Sequence, residues 1–389
     1  MTGAQTSQTL AEVSPPRREE IFAWIQLTNR CNLSCTYCYT ESGPQPDGGS
    51  LPLSTAKNIV ADVAAAGGHA VMLSGGEPTL YPDLIELLDY TCGDEGLAVT
   101  LVTNGTYLRP ELVDTLVRHS CTVQVSLDAV HEKGYKEARG RGRLPHALRG
   151  IDSLLDAGIT VTLSAALTTV NQQWVRDIVM YAIDRGIQFV HFAPTHWKDG
   201  GPFERSLFIE DLYPVLHELY ELQKQHYIFL SIDLIEHLVL PVALGIQRKY
   251  YCNAMAGRTV EIASDGGVYA CAAQRDIPEM KLGQLGDERR LLPIIEVNRA
   301  SEGFPQIGSD TIPECMSCEY RYICAGGCRA MTYHQAGSLD VRHPNCADLK
   351  RLIADIKRDI ESGELADYVD FLRTQGSVDQ SGDALLKMF

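Results

Sequence analysis

The chain has 389 residues, which is more than one average domain and fewer than three. Its hydrophobic content of 45% and charged content of 22% are those of a globular protein, which excludes a chain disordered throughout. Acidic residues outnumber basic ones by 50 to 34 and no basic block occurs, which argues against nucleic acid as a partner. No secretory signal precedes residue 21, and the apolar stretch 238–246 is far short of the roughly 20 residues of a membrane helix. We therefore predict a soluble cytoplasmic protein with no membrane or nucleic-acid partner.

Short apolar runs alternate with amphipathic segments between residues 21 and 193, which is typical of strand and helix units around a parallel sheet. Six strands are predicted, over 22–28, 70–73, 98–102, 122–127, 160–167 and 188–192. Five helices are predicted between them, over 54–66, 82–90, 110–118, 144–157 and 173–185. Such units can curl into an open barrel, and parallel barrels carry their active sites at the C-terminal ends of the strands. The predicted fold class is α/β, with a partial, TIM-like (β/α)6 barrel.

The rest of the chain is predicted to add a helical bridge and a small cluster-bearing unit. The bridge, 194–250, contains predicted helices over 210–225 and 232–246 and a loop over 197–202. A small α+β unit, 251–348, holds seven of the twelve cysteines, and an amphipathic helix follows over 349–374. The two ends, 1–20 and 375–389, are predicted to be loose.

Clustered cysteines in a reducing cytosol indicate metal rather than disulfides, since a chain of this length needs no covalent staples. Cys31, Cys35 and Cys38 follow the first predicted strand in one short loop. This C-x3-C-x2-C spacing suits a 4Fe–4S cluster, which normally takes four cysteines, so one iron is left open to a small molecule. A structural zinc loop with a distant fourth ligand is the alternative.

The cysteine loop, with Tyr37 before its third cysteine, resembles the signature of the radical S-adenosylmethionine (radical SAM) enzymes. In that family the open iron binds S-adenosyl-L-methionine, and one-electron reduction cleaves it to methionine and a 5′-deoxyadenosyl radical that abstracts a substrate hydrogen. The stretch after the second strand resembles the family's GGEP element, which holds the methionine amino group. Its members here are Gly75, Gly76, Glu77 and Pro78. Glu77 is expected to accept a hydrogen bond from the ammonium group.

Two further strand ends extend the resemblance to the binding of the cofactor. Asn104 follows the third strand and Ser126 ends the fourth. The resemblance implies that Ser126 and Arg139 bind the carboxylate of S-adenosylmethionine, with Arg141 and Arg143 as competitors for the arginine role. The glycines beside Arg141 predict a flexible run. The predicted cofactor contacts are Tyr37, Gly75, Gly76, Glu77, Pro78, Asn104, Ser126 and Arg139.

A second set of cysteines resembles the SPASM extension of radical SAM enzymes, with a zinc ribbon as the alternative. It comprises Cys252, a Gly-x4-Cys element ending at Cys271, a C-x2-C-x5-C-x3-C string and a late Cys346. The resemblance implies two auxiliary iron–sulfur clusters with interleaved ligands. The first would be held by Cys252, Cys271 and Cys328, and the second by Cys315, Cys318, Cys324 and Cys346.

Residues 239–251 contain no further cysteine, so the first auxiliary cluster lacks one protein thiolate. An open iron, a ligand such as His237 and a ligand supplied by the substrate remain as alternatives.

Relatives that mature sulfatases have an aspartate base where this chain has Ala272, which argues against formylglycine formation. Cys92 and Cys121 precede strands at the opposite barrel end and are predicted to be spare buried thiols.

The resemblance implies an oxidative modification, most simply of a ribosomally made peptide, by cross-linking, thioether formation or dehydrogenation. A separate leader-recognition protein and a flavodoxin, ferredoxin or other reductase as electron donor would be the partners. The alternative is oxidation or epimerisation of a sugar or other small molecule in a natural-product or cofactor pathway. A non-catalytic iron–sulfur or zinc protein is a remote third hypothesis.

Overall fold

The computed structural model describes residues 21–44, 49–195, 209–226, 228–275, 277–286, 290–300, 307–367 and 369–370. The two predicted loose ends and the predicted loop over 197–202 lie outside the described residues. Of the helices that the structure describes, none is long and apolar enough to cross a membrane.

One ten-stranded sheet forms the centre of the described chain. Its strands are β1 (Phe22–Gln26), β2 (Ala70–Ser74), β3 (Ala98–Thr103), β4 (Thr122–Ser126), β5 (Val161–Leu167), β6 (Phe189–Pro194), β7 (Phe229–Ile232), β8 (Thr259–Ile262), β9 (Gly267–Tyr269) and β10 (Lys281–Gln284). Their order in the sheet is β10-β9-β8-β1-β2-β3-β4-β5-β6-β7. Strands β1 to β8 pair with one another in parallel, whereas β9 is antiparallel to β8 and β10.

All six predicted strands are confirmed, and so is the α/β class with its parallel, partial-barrel sheet. The sheet extends further than predicted on both sides. In the predicted bridge, β7 pairs with β6, and in the predicted cluster-bearing unit, β8 pairs with β1 in a register that places Ile25 beside Ile262. Four-residue strands are too short to show a period of two, and their pairing partners are distant in sequence.

The helices lie between and after these strands. They are α1 (Leu53–Ala65), α2 (Leu84–Leu88), α3 (Pro110–Arg118), α4 (Glu132–Arg139), α5 (Leu144–Asp156), α6 (Val175–Asp184), α7 (Ile209–His226), α8 (Asp233–Leu244), α9 (Leu291–Ala300), α10 (Arg321–Cys324), α11 (Arg329–Ala336) and α12 (Cys346–Glu361). The predicted helices correspond to α1, α2, α3, α5, α6, α7, α8 and α12. Helix α4 was not predicted, because its sequence, EKGYKEAR, contains little apolar periodicity.

Strand β5 shows how the sheet separates its core from its functional face. Val161, Leu163, Ala165 and Leu167 are buried in the hydrophobic core. The alternate residues are half-buried, and two of them, Ser164 and Ala166, line a cavity. Because successive strand residues point to opposite faces, a strand with one apolar side can present small and polar side chains to a site on the other.

Candidate functional site

The cysteine loop lies against the C-terminal end of α4. The backbone N–H of Ser34 donates to Arg139 O at 3.3 Å, and that of Thr36 donates to Ala138 O at 3.2 Å. Gly140, with φ of +71°, ends the helix so close to the loop that a Cβ atom there would overlap Ser34 O. The predicted flexible run therefore begins with a tightly packed glycine, and this helix end holds the loop in place.

Of the three thiols of the loop, Cys31 is buried and Cys35 and Cys38 are half-buried, and they lie close enough to interact electrostatically. Burial, together with a smaller contribution from neighbouring thiols, raises the pKa of Cys31 to about 12 and that of Cys35 to about 11. Ligation requires the thiolate, so the binding of a metal group here displaces protons and relieves the repulsion between sulfurs. This donor set fits an iron–sulfur group. By contrast, no group of three or more His, Cys, Asp or Glu side chains among the described residues is arranged to hold a single metal ion.

The two-glycine turn after β2 is bonded to the start of the cysteine loop. Gly76 N–H donates to Thr28 O at 2.7 Å, and Glu77 N–H donates to Arg30 O at 2.8 Å. Gly75 has φ of +142°, and a Cβ atom there would lie 2.5 Å from Thr28 O. Both positions require glycine, since any side chain would separate the turn from the loop.

The carboxylate of Glu77 is oriented differently from the prediction. It is completely buried and accepts hydrogen bonds from Thr79 N–H at 3.1 Å, Thr103 Oγ1 at 2.6 Å and Asn104 N–H at 2.8 Å. Of the predicted GGEP residues in the described chain, Gly75 and Gly76 line the cavity, and Glu77 and Pro78 are not among its lining residues. The side chain caps the turn that begins at Pro78 and ties it to the end of β3, so it holds the glycines rather than facing the cavity.

Arg139 lines the cavity and forms a buried ion pair with Asp128, with Nε 2.5 Å from Oδ2. The hydroxyl of Tyr37 donates to the same carboxylate oxygen, and Ala166 N–H donates to Oδ1 at 2.8 Å. Asp128 thus joins the cysteine loop, α4 and β5. No role was predicted for Asp128, although an aspartate directly after a predicted strand was a usable signal, and the structure shows it buried.

The structure distinguishes among the three candidate arginines. Arg139 is buried, Arg141 is exposed and Arg143 is half-buried. Of the three, only Arg139 is a lining residue of the described cavity, where it is accompanied by the predicted contacts Ser126, Tyr37 and Asn104.

The cavity has a volume of about 590 Å³ and is lined by members of both cysteine sets. Cys31, Cys35 and Cys38 contribute from the loop, and Cys252 and Cys271 contribute from the C-terminal region. A molecule in this cavity therefore contacts, or lies near, two separate groups of thiols.

Glu261 on β8 places a buried carboxylate in the lining of the same cavity. Its Oε1 accepts a hydrogen bond from Gln26 Nε2, and Gln26 Oε1 in turn accepts from Arg275 at 2.7 Å. Its Oε2 is buried without a hydrogen-bond partner among the described residues. Burial raises the pKa of Glu261 to about 8, although Arg275 and Gln26 lower it. This acid–base group was not predicted, and its one signal in the sequence is a charged residue inside the strand TVEI.

The C-terminal cysteines interact electrostatically in two groups. Cys271 interacts with Cys252 and Cys328, whereas Cys315 interacts with Cys318 and Cys346. Cys324 interacts with Cys315 and Cys346, which places it in the second group. This is the grouping that the resemblance to the SPASM extension implies. His237, one alternative for the missing ligand, lines the cavity together with Cys252 and Cys271.

Cys92 and Cys121 lie apart from both groups, with their sulfurs 4.0 Å from each other. Neither is among the described residues that line the cavity.

We expect a variant carrying both Cys92→Ala and Cys121→Ala to keep the full iron content, and to lose on the order of 1 kcal/mol of stability from the lost packing. Iron analysis and thermal unfolding measure both quantities, and a loss of iron from this variant would show that the pair are ligands.

Comparisons with known proteins relate this chain to the radical SAM superfamily. The profile of the radical SAM superfamily matches residues 25–182. The chain is 28% identical to an AdoMet-dependent heme synthase of Methanosarcina barkeri, over 87% of this chain and 98% of that protein. It is 27% identical to a PqqA peptide cyclase of Methylocella silvestris, over 82% of this chain and 86% of that protein. Among solved structures, Streptococcus suis SuiB bound to its precursor peptide SuiA has the same fold, with a TM-score of 0.71, 20% identity and coverage of 84% of this chain and 75% of that one.

Proposed function

We propose that this chain is a radical SAM enzyme that carries out a net oxidation of a peptide substrate in the cavity that its two cysteine sets share. The observation that carries the proposal is that Cys31, Cys35 and Cys38 line the same cavity as Cys252 and Cys271. A site for hydrogen abstraction thus adjoins a site that can take up an electron. The barrel of residues 21–193 supplies the first, and the unit of residues 251–348 supplies the second.

The cysteine loop would hold one 4Fe–4S cluster with an open iron for S-adenosyl-L-methionine. When bound, this pair supplies a 5′-deoxyadenosyl radical. Gly75 and Gly76 offer a close backbone approach for the methionine end of the cofactor, and their packing against Thr28 and Arg30 keeps that surface rigid. Glu77 and Pro78 act behind them by fixing the turn.

Arg139 and Ser126 would bind the methionine carboxylate, with Tyr37 and Asn104 as neighbouring contacts. The ion pair of Arg139 with Asp128 uses Nε, and a guanidinium has further N–H donors in a fork that matches a carboxylate. Because Asp128 also accepts from Tyr37 and Ala166, it orients Arg139 relative to the cysteine loop. Asp128 is therefore a positioning residue.

The C-terminal cysteines would hold two auxiliary iron–sulfur clusters, with Cys252, Cys271 and Cys328 on the first and Cys315, Cys318, Cys324 and Cys346 on the second. Auxiliary clusters can accept an electron. An oxidation that follows hydrogen abstraction must also release a proton, and Glu261 lines the cavity with an unpartnered oxygen among the described residues. Its raised pKa suits proton transfer near neutral pH.

A peptide is the substrate class supported by the similarity to a PqqA peptide cyclase and by the shared fold with SuiB, which was solved with a precursor peptide. We include in the proposal a separate leader-recognition protein and a flavodoxin- or ferredoxin-type electron donor. The second candidate is a small-molecule substrate. It is favoured by the similarity to a heme synthase that spans nearly all of that relative.

The decisive experiment is anaerobic reconstitution followed by iron analysis and reduction in the presence of S-adenosylmethionine. We expect about twelve irons per chain, for three clusters, and release of 5′-deoxyadenosine. Cys35→Ala should abolish that release, and the matched control Cys121→Ala should retain it. A colourless protein that contains zinc, or a reduced protein that leaves the cofactor intact, would contradict the proposal.

Substrate class is tested with the active protein by mass spectrometry. Short peptides encoded beside the gene form one arm, and a tetrapyrrole forms the other. A peptide that loses hydrogen only when the cofactor and reductant are present supports the first candidate. If the tetrapyrrole is converted and no peptide is, the result supports the second candidate, a small-molecule substrate.

A further inference from the structure

Arg329 is a buried cation whose hydrogen bonds all go to backbone carbonyls. Its side chain is enclosed, with 1% of the residue exposed. Nη1 donates to Leu339 O and Val341 O at 2.8 Å each, Nε donates to Gly327 O at 3.2 Å, and Nη2 donates to Gly326 O. These acceptors are neutral, so they satisfy the N–H groups without balancing the charge.

Arg248, which is half-buried, repeats this pattern of carbonyl acceptors nearby. Its guanidinium donates to Tyr251 O at 3.3 Å, to Ile323 O at 3.1 Å and to His237 O. Its Nε is buried without a hydrogen-bond partner in the described part of the chain. Again every acceptor is a neutral carbonyl.

Neither arginine has an ion pair with a carboxylate among the described residues. Arg329 interacts at longer range with Asp340, but that carboxylate is exposed to solvent and screened. A buried charge without a counter-charge is strongly unfavourable, and arginine stays protonated in proteins. An anion bound beside Arg329 would therefore supply the missing counter-charge.

The groups that face both arginines are cysteines of the two auxiliary sets. Arg329 interacts with Cys328, Cys315, Cys324 and Cys252, in decreasing order. Arg248 interacts with Tyr251, Cys252 and Cys324. The cysteines common to both are Cys252, from the first set, and Cys324, from the second, so the two positive charges lie between the sets.

We propose that Arg329 and Arg248 are positioning residues whose positive charges are shared by the two auxiliary clusters and raise the reduction potentials of both. The inference rests on the proposed function, because it requires that the clusters bind. A nearby cation stabilises the reduced form of a cluster, which carries one more electron than the oxidised form. In a buried site, water screens this electrostatic interaction little. Each cluster therefore becomes a better electron acceptor.

The same arginines also tie loops together, so the test must separate charge from structure. Arg329→Gln removes the charge and keeps hydrogen-bond donors, whereas Arg329→Lys keeps the charge and loses the fork. Arg248→Gln is a second, independent variant. Arg321→Gln is the matched control, because Arg321 lies on the same short helix as Cys324, α10, but is paired with Asp310 near the surface.

Each variant is reconstituted anaerobically, analysed for iron and titrated with reductant while the clusters are followed by electron paramagnetic resonance. We expect Arg329→Gln and Arg248→Gln to shift both auxiliary potentials downward. The SAM-binding cluster should keep its potential and serves as an internal reference, since the cysteines that interact with the two arginines belong to the C-terminal sets. Arg329→Lys should recover most of the shift, and Arg321→Gln should show none.

Other outcomes would overturn the inference in distinguishable ways. Unchanged auxiliary potentials in a fully loaded Arg329→Gln protein would show that the charge is irrelevant, and an Arg329→Lys potential as low as that of the glutamine variant would assign a purely structural role. If both glutamine variants lose their auxiliary iron, the arginines are needed for assembly rather than for the potential. A wild-type protein without auxiliary clusters would instead refute the proposed function.

Discussion

Replacement of Gly140 by alanine is expected to remove about four irons per chain, those of the cysteine loop, while the C-terminal clusters remain. The new Cβ atom would overlap Ser34 O, one residue before Cys35, at the point where α4 supports the loop. The backbone at +71° adds a further cost of roughly 1 kcal/mol for a residue with a side chain. Because a small displacement of a reacting group can cost about 100-fold in rate, release of 5′-deoxyadenosine should fall at least that far.

The control for Gly140→Ala is Gly158→Ala. Gly158 also follows a helix with a positive φ, of +76°, but no atom lies within 4 Å of the position its Cβ would take. This variant has the same backbone strain without the overlap. It should therefore lose stability but keep its iron. Equal iron contents and equal cofactor cleavage in the two variants would show that the contact with Ser34 does not hold the loop.

Alanine variants of Cys324 and Cys328 are expected to lose different clusters, although the two residues are four positions apart. Cys324 interacts with Cys315 and Cys346, whereas Cys328 interacts with Cys252 and Cys271. Each variant should lose up to about four irons from its own group. The spectrum that remains in Cys328→Ala should match that of Cys252→Ala, and the spectrum of Cys324→Ala should match that of Cys315→Ala.

Both variants should still cleave S-adenosylmethionine, because the loop that would bind it is separate, but neither should complete the oxidation. Electron paramagnetic resonance with iron analysis identifies the cluster that each variant loses, 5′-deoxyadenosine release measures cofactor cleavage, and mass spectrometry of the substrate measures the oxidation. Cys121→Ala is the control for loss of a buried thiol. If Cys324→Ala and Cys328→Ala lose the same signal, the interleaved assignment is wrong.

Local patterns predicted much of this molecule. Six strands, eight helices and the cysteine loop are each encoded within a short segment, by apolar periodicity or by spacing. The positions of Gly75 and Gly76 in the cavity lining also agree with their motif. Such features depend on neighbours within a few residues, which is the range over which a sequence pattern can be interpreted directly.

Other features arise from contacts between distant segments. Glu77 was expected to face a ligand, but hydrogen bonds from Thr103 and Asn104, more than twenty residues away, turn it inward. The support of the cysteine loop by Gly140 depends on a helix with almost no apolar pattern.

The chemical identity of the site was therefore present in the sequence, since thiols, glycines and their spacing specify which groups can be bound. The arrangement of the charges was decided by the tertiary structure alone. Glu261 lines the cavity because β8 pairs with β1. Arg329 interacts with cysteines of both C-terminal sets, and their members lie far apart in the sequence. Burial and electrostatic coupling depend on distances in space, and a linear pattern does not contain those distances.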